Sequence, residues 1–228
     1  MLGRILSAGL IAGFCAGVVA ALLQLALLQP VLLTAELYET GQLAPGAAPV
    51  VPGVGFDPLR DGLSVLFSAL LYAGYGLVLT ALMSVAAERG WARVDGRAGM
   101  IWGAAGFVTM QLAPALGAPP ELPGMSAAAL EPRQVWWAVT VAATGLGCAL
   151  IGFGRGWLFW GGGIALLAVP HLIGAPAPVG MAGPVPPELA ARFAARALGV
   201  GLAAWICLGA LAGRLCAQDD VAFRPARA

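Results

Sequence analysis

From Ile5 to Ala35 the chain carries no charged residue and is built almost wholly of Leu, Ala, Val, Ile and Gly. The hydrocarbon core of a bilayer takes ~17–25 apolar residues as one helix, and this run is longer than that. Arg4 ahead of it imitates a signal peptide. The apolar part of such a peptide is only ~7–15 residues, however, so the run reads as a retained membrane helix. Lipid offers no partner for a peptide N–H or C=O, and a helix is the way one segment pairs its own. The short alternating segments of a membrane barrel do not occur.

Five further runs have the same character, at 62–87, 98–117, 134–153, 157–173 and 194–213; with 5–33 they predict six spans. The fold class is an all-α polytopic integral membrane bundle, a single transmembrane domain over 1–228. The fifth run is short and ends at Pro170-His171, which leaves open a five-helix arrangement with a re-entrant piece.

Charged residues make up 10 % of the chain, against roughly a quarter in soluble domains. All the basic residues are arginine, and the net charge of +1 gives no basic stripe for nucleic acid. The bulk partner is membrane lipid. Cys15, Cys148, Cys207 and Cys216 lie outside the segments read as outer loops and form no CxxC pattern, so they read as small apolar residues. There is no Walker motif, no nucleotide-binding glycine loop and no HExxH. No catalytic pair can be named, so the chain is not expected to be an enzyme or to hold a resident cofactor.

In a six-span arrangement Arg4, Arg89, Arg93, Arg97, Arg155, Arg214, Arg224 and Arg227 fall on one side, and Arg60, Arg133, Arg192 and Arg196 on the other. The excess of arginine marks the cytoplasmic side and places both termini there. Trp91, Trp102, Trp157 and Trp160 then lie near the inner interface and Trp136 and Trp137 near the outer one, an aromatic belt from which Trp205, near the middle of the last span, is out of line. Glycines four residues apart, at Gly9-Gly13-Gly17 and Gly99-Gly103, predict close helix packing, and Gly199-Gly201 opens the last span.

Two stretches echo each other. Pro114-Ala115-Leu116-Gly117-Ala118-Pro119 resembles Pro170-His171-Leu172-Ile173-Gly174-Ala175-Pro176. Gly124-Met125 and Gly180-Met181 follow, and then Glu131-Pro132 and Pro187-Glu188 before new helices. Either these are repeated two-helix hairpins, or they are chance likenesses among Gly/Ala/Pro-rich ends.

Most prolines fall in the predicted outer loops 43–60, 118–132 and 174–187, where they stop and start helices. His171 is the only histidine, and imidazole is the commonest metal ligand among side chains. Glu121, Met125, Met181 and Glu188, with carbonyls freed around Pro170 and Gly174, are its candidate partners for a cation such as Co²⁺. The competing role for His171 is an interfacial hydrogen bond. For Glu188 and Glu131 the competing role is helix N-terminal capping. Glu36 and Glu39 mark either a way in for cations or the water boundary. Gln24, Gln29 and Gln111 are amides within the apolar runs, suited to interhelical bonding or to lining a solute path. Asp57, Arg60 and Asp61 read as a solvated helix cap.

The combination of Pro119-Pro120-Glu121-Leu122-Pro123-Gly124, Arg133-Gln134, Trp136-Trp137 and Pro170-His171-Leu172-Ile173-Gly174-Ala175-Pro176 with Pro178 resembles the CbtA family. The opening, with Arg4, Gln29-Pro30, Glu36 and Tyr38-Glu39, is similar too. The resemblance covers nearly the whole chain. It implies an inner-membrane subunit of a cobalt permease, associated with cobalamin metabolism. It further implies Co²⁺ as cargo and a small single-span partner with a histidine-rich tail. This chain departs from the family in lacking histidines in loop 43–60 and in having Met181 where a later one would stand. Ligands from the partner, or a softer solute, would account for that. The other reading is a non-transporting membrane scaffold or assembly subunit that docks a partner, or an oligomer, through its small-residue helix faces.

Overall fold

A computed structural model describes residues 2–44, 47, 55, 57–178, 180 and 183–222, with side chains described as far as residue 217. In chain order the helices are α1 (Leu2–Leu27), α2 (Gln29–Glu39), α3 (Pro58–Glu88) and α4 (Gly96–Phe107). A π-helical turn (Val108–Leu112) follows, then α5 (Ala113–Gly117), α6 (Leu130–Phe153), α7 (Trp157–Ile173) and α8 (Pro187–Ala222). No strand occurs among the described residues. Leu2–Leu27, Pro58–Glu88, Gly96–Gly117, Leu130–Phe153 and Pro187–Ala217 are long and apolar enough to cross a membrane, and Trp157–Ile173 is a shorter apolar helix. The chain is an all-α polytopic membrane protein. Met181 lies outside the described residues, as does most of loop 43–60.

The helices fall into two compact units. One comprises Met1–Leu23, Phe56–Phe107 and Val200–Ala228. There α1 lies on α3 along the Gly9-Gly13-Gly17 stripe. A Cβ on Gly17 would come within 2.5 Å of Ser68 O, and one on Gly13 would strike Tyr72 O. With so little side chain between them the two backbones touch, which is how membrane helices gain dispersion energy. Gly99 and Gly103 do the same for α4, against Gly209 and Gly213 of α8. Gly199, by contrast, has nothing within reach of a Cβ. Trp205 fills the space that Gly106 leaves and stacks on Tyr75, with ring centroids 5.1 Å apart. The tryptophan out of line in the sequence is therefore an interior residue. Asp57 caps α3 by accepting from Leu59 N and Arg60 N at 3.0 and 3.1 Å. Asp61, expected to be solvated, is buried and ion-paired with Arg60 at 2.9 Å.

The other unit comprises Gln24–Gly55 and Val108–Gly199. Here the expected single helix over 5–33 proves to be two. Pro30 has no N–H to give Ala26 O, and Val31 N and Leu32 N both turn to Leu28 O at 3.0 Å, starting α2 afresh. The Leu27 carbonyl accepts from Arg196 Nη1 at 2.8 Å instead.

Within the same unit α6 and α7 form a hairpin closed by Gly154–Gly156, with Gly156 at φ +95°. Gly147 and Gly163 face each other; a Cβ on either would lie 2.8 Å from the other's carbonyl. A helix of 17 residues rises ~26 Å, slightly less than the ~30 Å hydrocarbon core. Over that length α7 runs back along α6 as far as Trp136, whose indole meets Pro170.

The two echoing stretches share a geometry. Ala118 N donates to Pro114 O at 2.9 Å and Gly174 N to Pro170 O at 3.1 Å, so each helix ends one turn after its proline. Gly124 and Gly180 both adopt positive φ, +77° and +98°, a conformation open to glycine without strain. A new helix then starts at Leu130 and at Pro187.

Candidate functional site

All the described candidate ligands lie in the second unit, around the ends of α5 and α7. Trp136, in the second turn of α6, sits at the centre. Its indole Nε1 donates to Pro170 O at 3.2 Å, and its ring fills the space beside Gly117, at the end of α5. A Cβ on Gly117 would lie 2.6 Å from that ring and 3.0 Å from Ala175 Cβ. Trp136 thus ties both proline-terminated helix ends to one side chain.

His171 follows Pro170 and packs its imidazole edge-on to the same indole, centroids 6.1 Å apart. It is half-buried in the last turn of α7, where the negative end of the helix dipole favours a cation. The carbonyl beside it is not open as a ligand: Pro170 O already accepts from Trp136 Nε1 and Gly174 N.

The loops that carry the remaining candidates touch. A Cβ on Gly183 would lie 2.8 Å from Gly124 O and 3.5 Å from Met125 Cα; one on Gly124 would lie 3.2 Å from Glu39 Cβ. Loop 118–129, the segment before α8 and the end of α2 therefore meet. Glu39, left in the sequence between way in and water boundary, belongs with these loops.

The ligating atoms of the predicted set are engaged separately. Glu121 accepts from Arg133 Nη1 at 2.6 Å, a pair about one-third exposed. The Met125 thioether turns back on its own loop and accepts from Leu122 N at 3.3 Å. Glu188 is exposed in the first turn of α8, where a carboxylate complements the helix dipole. Among the described residues no group of three His, Cys, Asp or Glu side chains stands close enough to hold a metal ion. The arrangement offers these ligands singly, not as a cluster.

Sequence reasoning missed Thr140 and Thr144, both fully buried on α6. Their four-residue spacing places them on one helix face, and that was the available signal. It also did not foresee that the third span widens into a π-turn at Val108–Leu112.

The family model described as "Probable cobalt transporter subunit (CbtA)" matches residues 2–217. No curated protein and no solved structure matches the chain.

Proposed function

The chain belongs to the CbtA family of probable cobalt transporter subunits, and from that premise we propose that it is the membrane-spanning subunit of a Co²⁺ permease serving cobalamin metabolism. It lies in the inner membrane with both termini cytoplasmic, as the arginine distribution favours. The observation that carries the reading is the convergence on Trp136 of two proline-ended helices, with half-buried His171 beside it. The loops bearing Glu39, Met125 and Val185 adjoin one another in the same unit. His171 takes the ion briefly, and Glu121, Met125, Met181 and Glu188 are the further candidates. A mouth of single ligands suits transport, because an ion held by a full cage does not leave. A single-span partner with a histidine-rich tail would deliver the metal to it.

The scaffold alternative draws on small-residue helix faces. Those of α1 and α4 are already occupied by α3 and α8, which favours transport over docking. The test is uptake of radioactive cobalt by proteoliposomes holding the purified chain, with and without the partner. Saturable flux that falls several-fold in His171→Ala is expected. Absence of flux in every combination would overturn the transport reading, and undiminished flux in the variant would remove His171 from it.

A further inference from the structure

One end of the first unit carries positive charge that the protein itself leaves unanswered. The chain leaving α3 folds back on it: Gly90 N donates to Ala87 O at 3.0 Å and Trp91 N to Ala86 O at 2.8 Å. Arg89 then lies over the Trp91 ring, its guanidinium carbon 5.2 Å from the centroid. Asp95 caps α4 by accepting from Arg97 N and Ala98 N, both at 2.8 Å. Arg214 reaches the same place from α8, since a Cβ on Gly96 would lie 2.6 Å from its Cγ and 3.0 Å from its Nε. The loop between α3 and α4 thus carries Arg89, Arg93 and Arg97 to the helix end over which Arg214 lies.

All four arginines are exposed, and none forms an ion pair with a described residue. Other arginines of the chain have partners: Arg60 has Asp61, Arg133 has Glu121, and Arg196 has the Leu27 carbonyl. The carboxylates of the α3–α4 connection are Glu88, exposed and unpaired among the described residues, and Asp95, already used as a cap. The sequence after Ala217 adds two aspartates and two arginines, which leaves the balance positive.

What lies beside the charge selects the ligand. On α3 the residues one, two and three turns before Arg89 are Val85, Leu82 and Val78, exposed by 45, 53 and 62 %. On α4, Ile101 stands one turn after Arg97 and is 70 % exposed. Trp91 is itself exposed, as a side chain at headgroup level is. A soluble anion would use the arginines alone. A phospholipid joins an anion to apolar chains and so matches the cations and the apolar stripes below them.

We propose that Arg89, Arg93, Arg97 and Arg214, with Trp91, bind the headgroup of an anionic phospholipid whose acyl chains lie along the exposed faces of α3 and α4. Guanidinium groups present paired N–H donors that suit phosphate oxygens. A basic cluster directly beside membrane helices is the pattern that anionic headgroups satisfy. The site goes beyond the transport reading and does not rest on it, because neither His171 nor the loops around it contribute.

The test is native mass spectrometry of the purified full chain in mild detergent, titrated with phosphatidylglycerol or with phosphatidylcholine of the same acyl chains. Wild type should hold phosphatidylglycerol about tenfold or more the tighter. An arginine beside an anionic headgroup contributes about fivefold, so Arg97→Gln and Arg214→Gln should each weaken that binding by this factor. The double variant should lose about 25-fold if the two act independently. Both side chains are exposed, so unfolding temperatures should stay as in wild type. Arg155→Gln changes an equally exposed arginine of the other unit, in the α6–α7 turn, and should bind as wild type. Inorganic phosphate in millimolar excess should not displace the lipid. Equal affinity for the two lipids, or as large a loss in Arg155→Gln as in Arg97→Gln, overturns the site. Displacement by phosphate overturns it as well, leaving a site for a soluble anion.

Discussion

The indole Nε1 of Trp136 donates to the Pro170 carbonyl at 3.2 Å, and the same ring lies edge-on to His171. One side chain of α6 thereby fixes the end of α7 and the orientation of its histidine. Trp136→Phe keeps most of the ring and deletes the donor. Pro170 O retains Gly174 N, so the expected loss is one net hydrogen bond, about 1 kcal/mol, read from unfolding in micelles. Trp136→Ala also removes the packing against Gly117 and should cost about 3–5 kcal/mol. If His171 is the capturing ligand, Trp136→Phe should lower cobalt uptake in the same direction as His171→Ala and by less.

Glu121 is held by Arg133 at 2.6 Å, so the guanidinium competes for any cation that the carboxylate would meet. Arg133→Gln should release Glu121 and lower the apparent KM for Co²⁺ several-fold, while Glu121→Gln should raise it. The pair is partly exposed, and such pairs are worth under about 1 kcal/mol, so neither change should move the unfolding temperature by more than a few degrees. A KM unaffected by both substitutions would take Glu121 off the ion's route.

Glycines of this chain divide sharply by what surrounds them. Gly13→Ala would drive a methyl into the Tyr72 backbone, which cannot move without parting α1 from α3. Overpacking of this kind costs about 1–3 kcal/mol or more. Gly74 lies in α3, and a methyl placed there would have nothing within 4 Å of it. Gly74→Ala should therefore be neutral or stabilising by up to about 1 kcal/mol through helix propensity. Unfolding midpoints of the two variants, measured side by side, check the contrast.

What is readable from the chain alone follows from which forces act locally. Five of the six expected spans are legible from apolar length, the sixth being the shorter helix Trp157–Ile173, and the packing of Gly9-Gly13-Gly17 and Gly99-Gly103 from their period, because lipid imposes both. The likeness of Pro114 and Pro170, each one turn before a helix end, is visible because a proline dictates its own turn. The break after Leu27 is hidden: Pro30 stands inside an uninterrupted apolar run, and whether it kinks or splits a helix depends on what receives the freed carbonyl. That receiver, Arg196, is remote in sequence and by charge pattern counts only as an outer-side arginine. The site is legible as a region but not as a ligand set. His171, Glu121, Met125 and Glu188 share one compact unit, yet Arg133 and the backbone N–H of Leu122 take up two of them, and such pairings are set by tertiary contact.

Arg196 and Pro30 should therefore behave as a coupled pair. Pro30 removes the donor that Ala26 O would use, and the restart at Leu28 leaves Leu27 O to Arg196 Nη1 at 2.8 Å. Arg196→Met keeps most of the stem and removes the donor, which should cost about 1 kcal/mol or somewhat more. Pro30→Ala restores an N–H, letting residues 30 and 31 donate to Ala26 and Leu27 as in an unbroken helix. In that background the Leu27 carbonyl no longer needs the guanidinium, and Arg196→Met should cost little. Residues in one hydrogen-bond network couple by about 0.5–3 kcal/mol, so a double-mutant cycle on unfolding free energy should return a value in that range. Additive effects would mean that the break between α1 and α2 is set by Pro30 alone, with Arg196 an incidental neighbour. Coupling would instead make Arg196 the clamp that holds the broken first span.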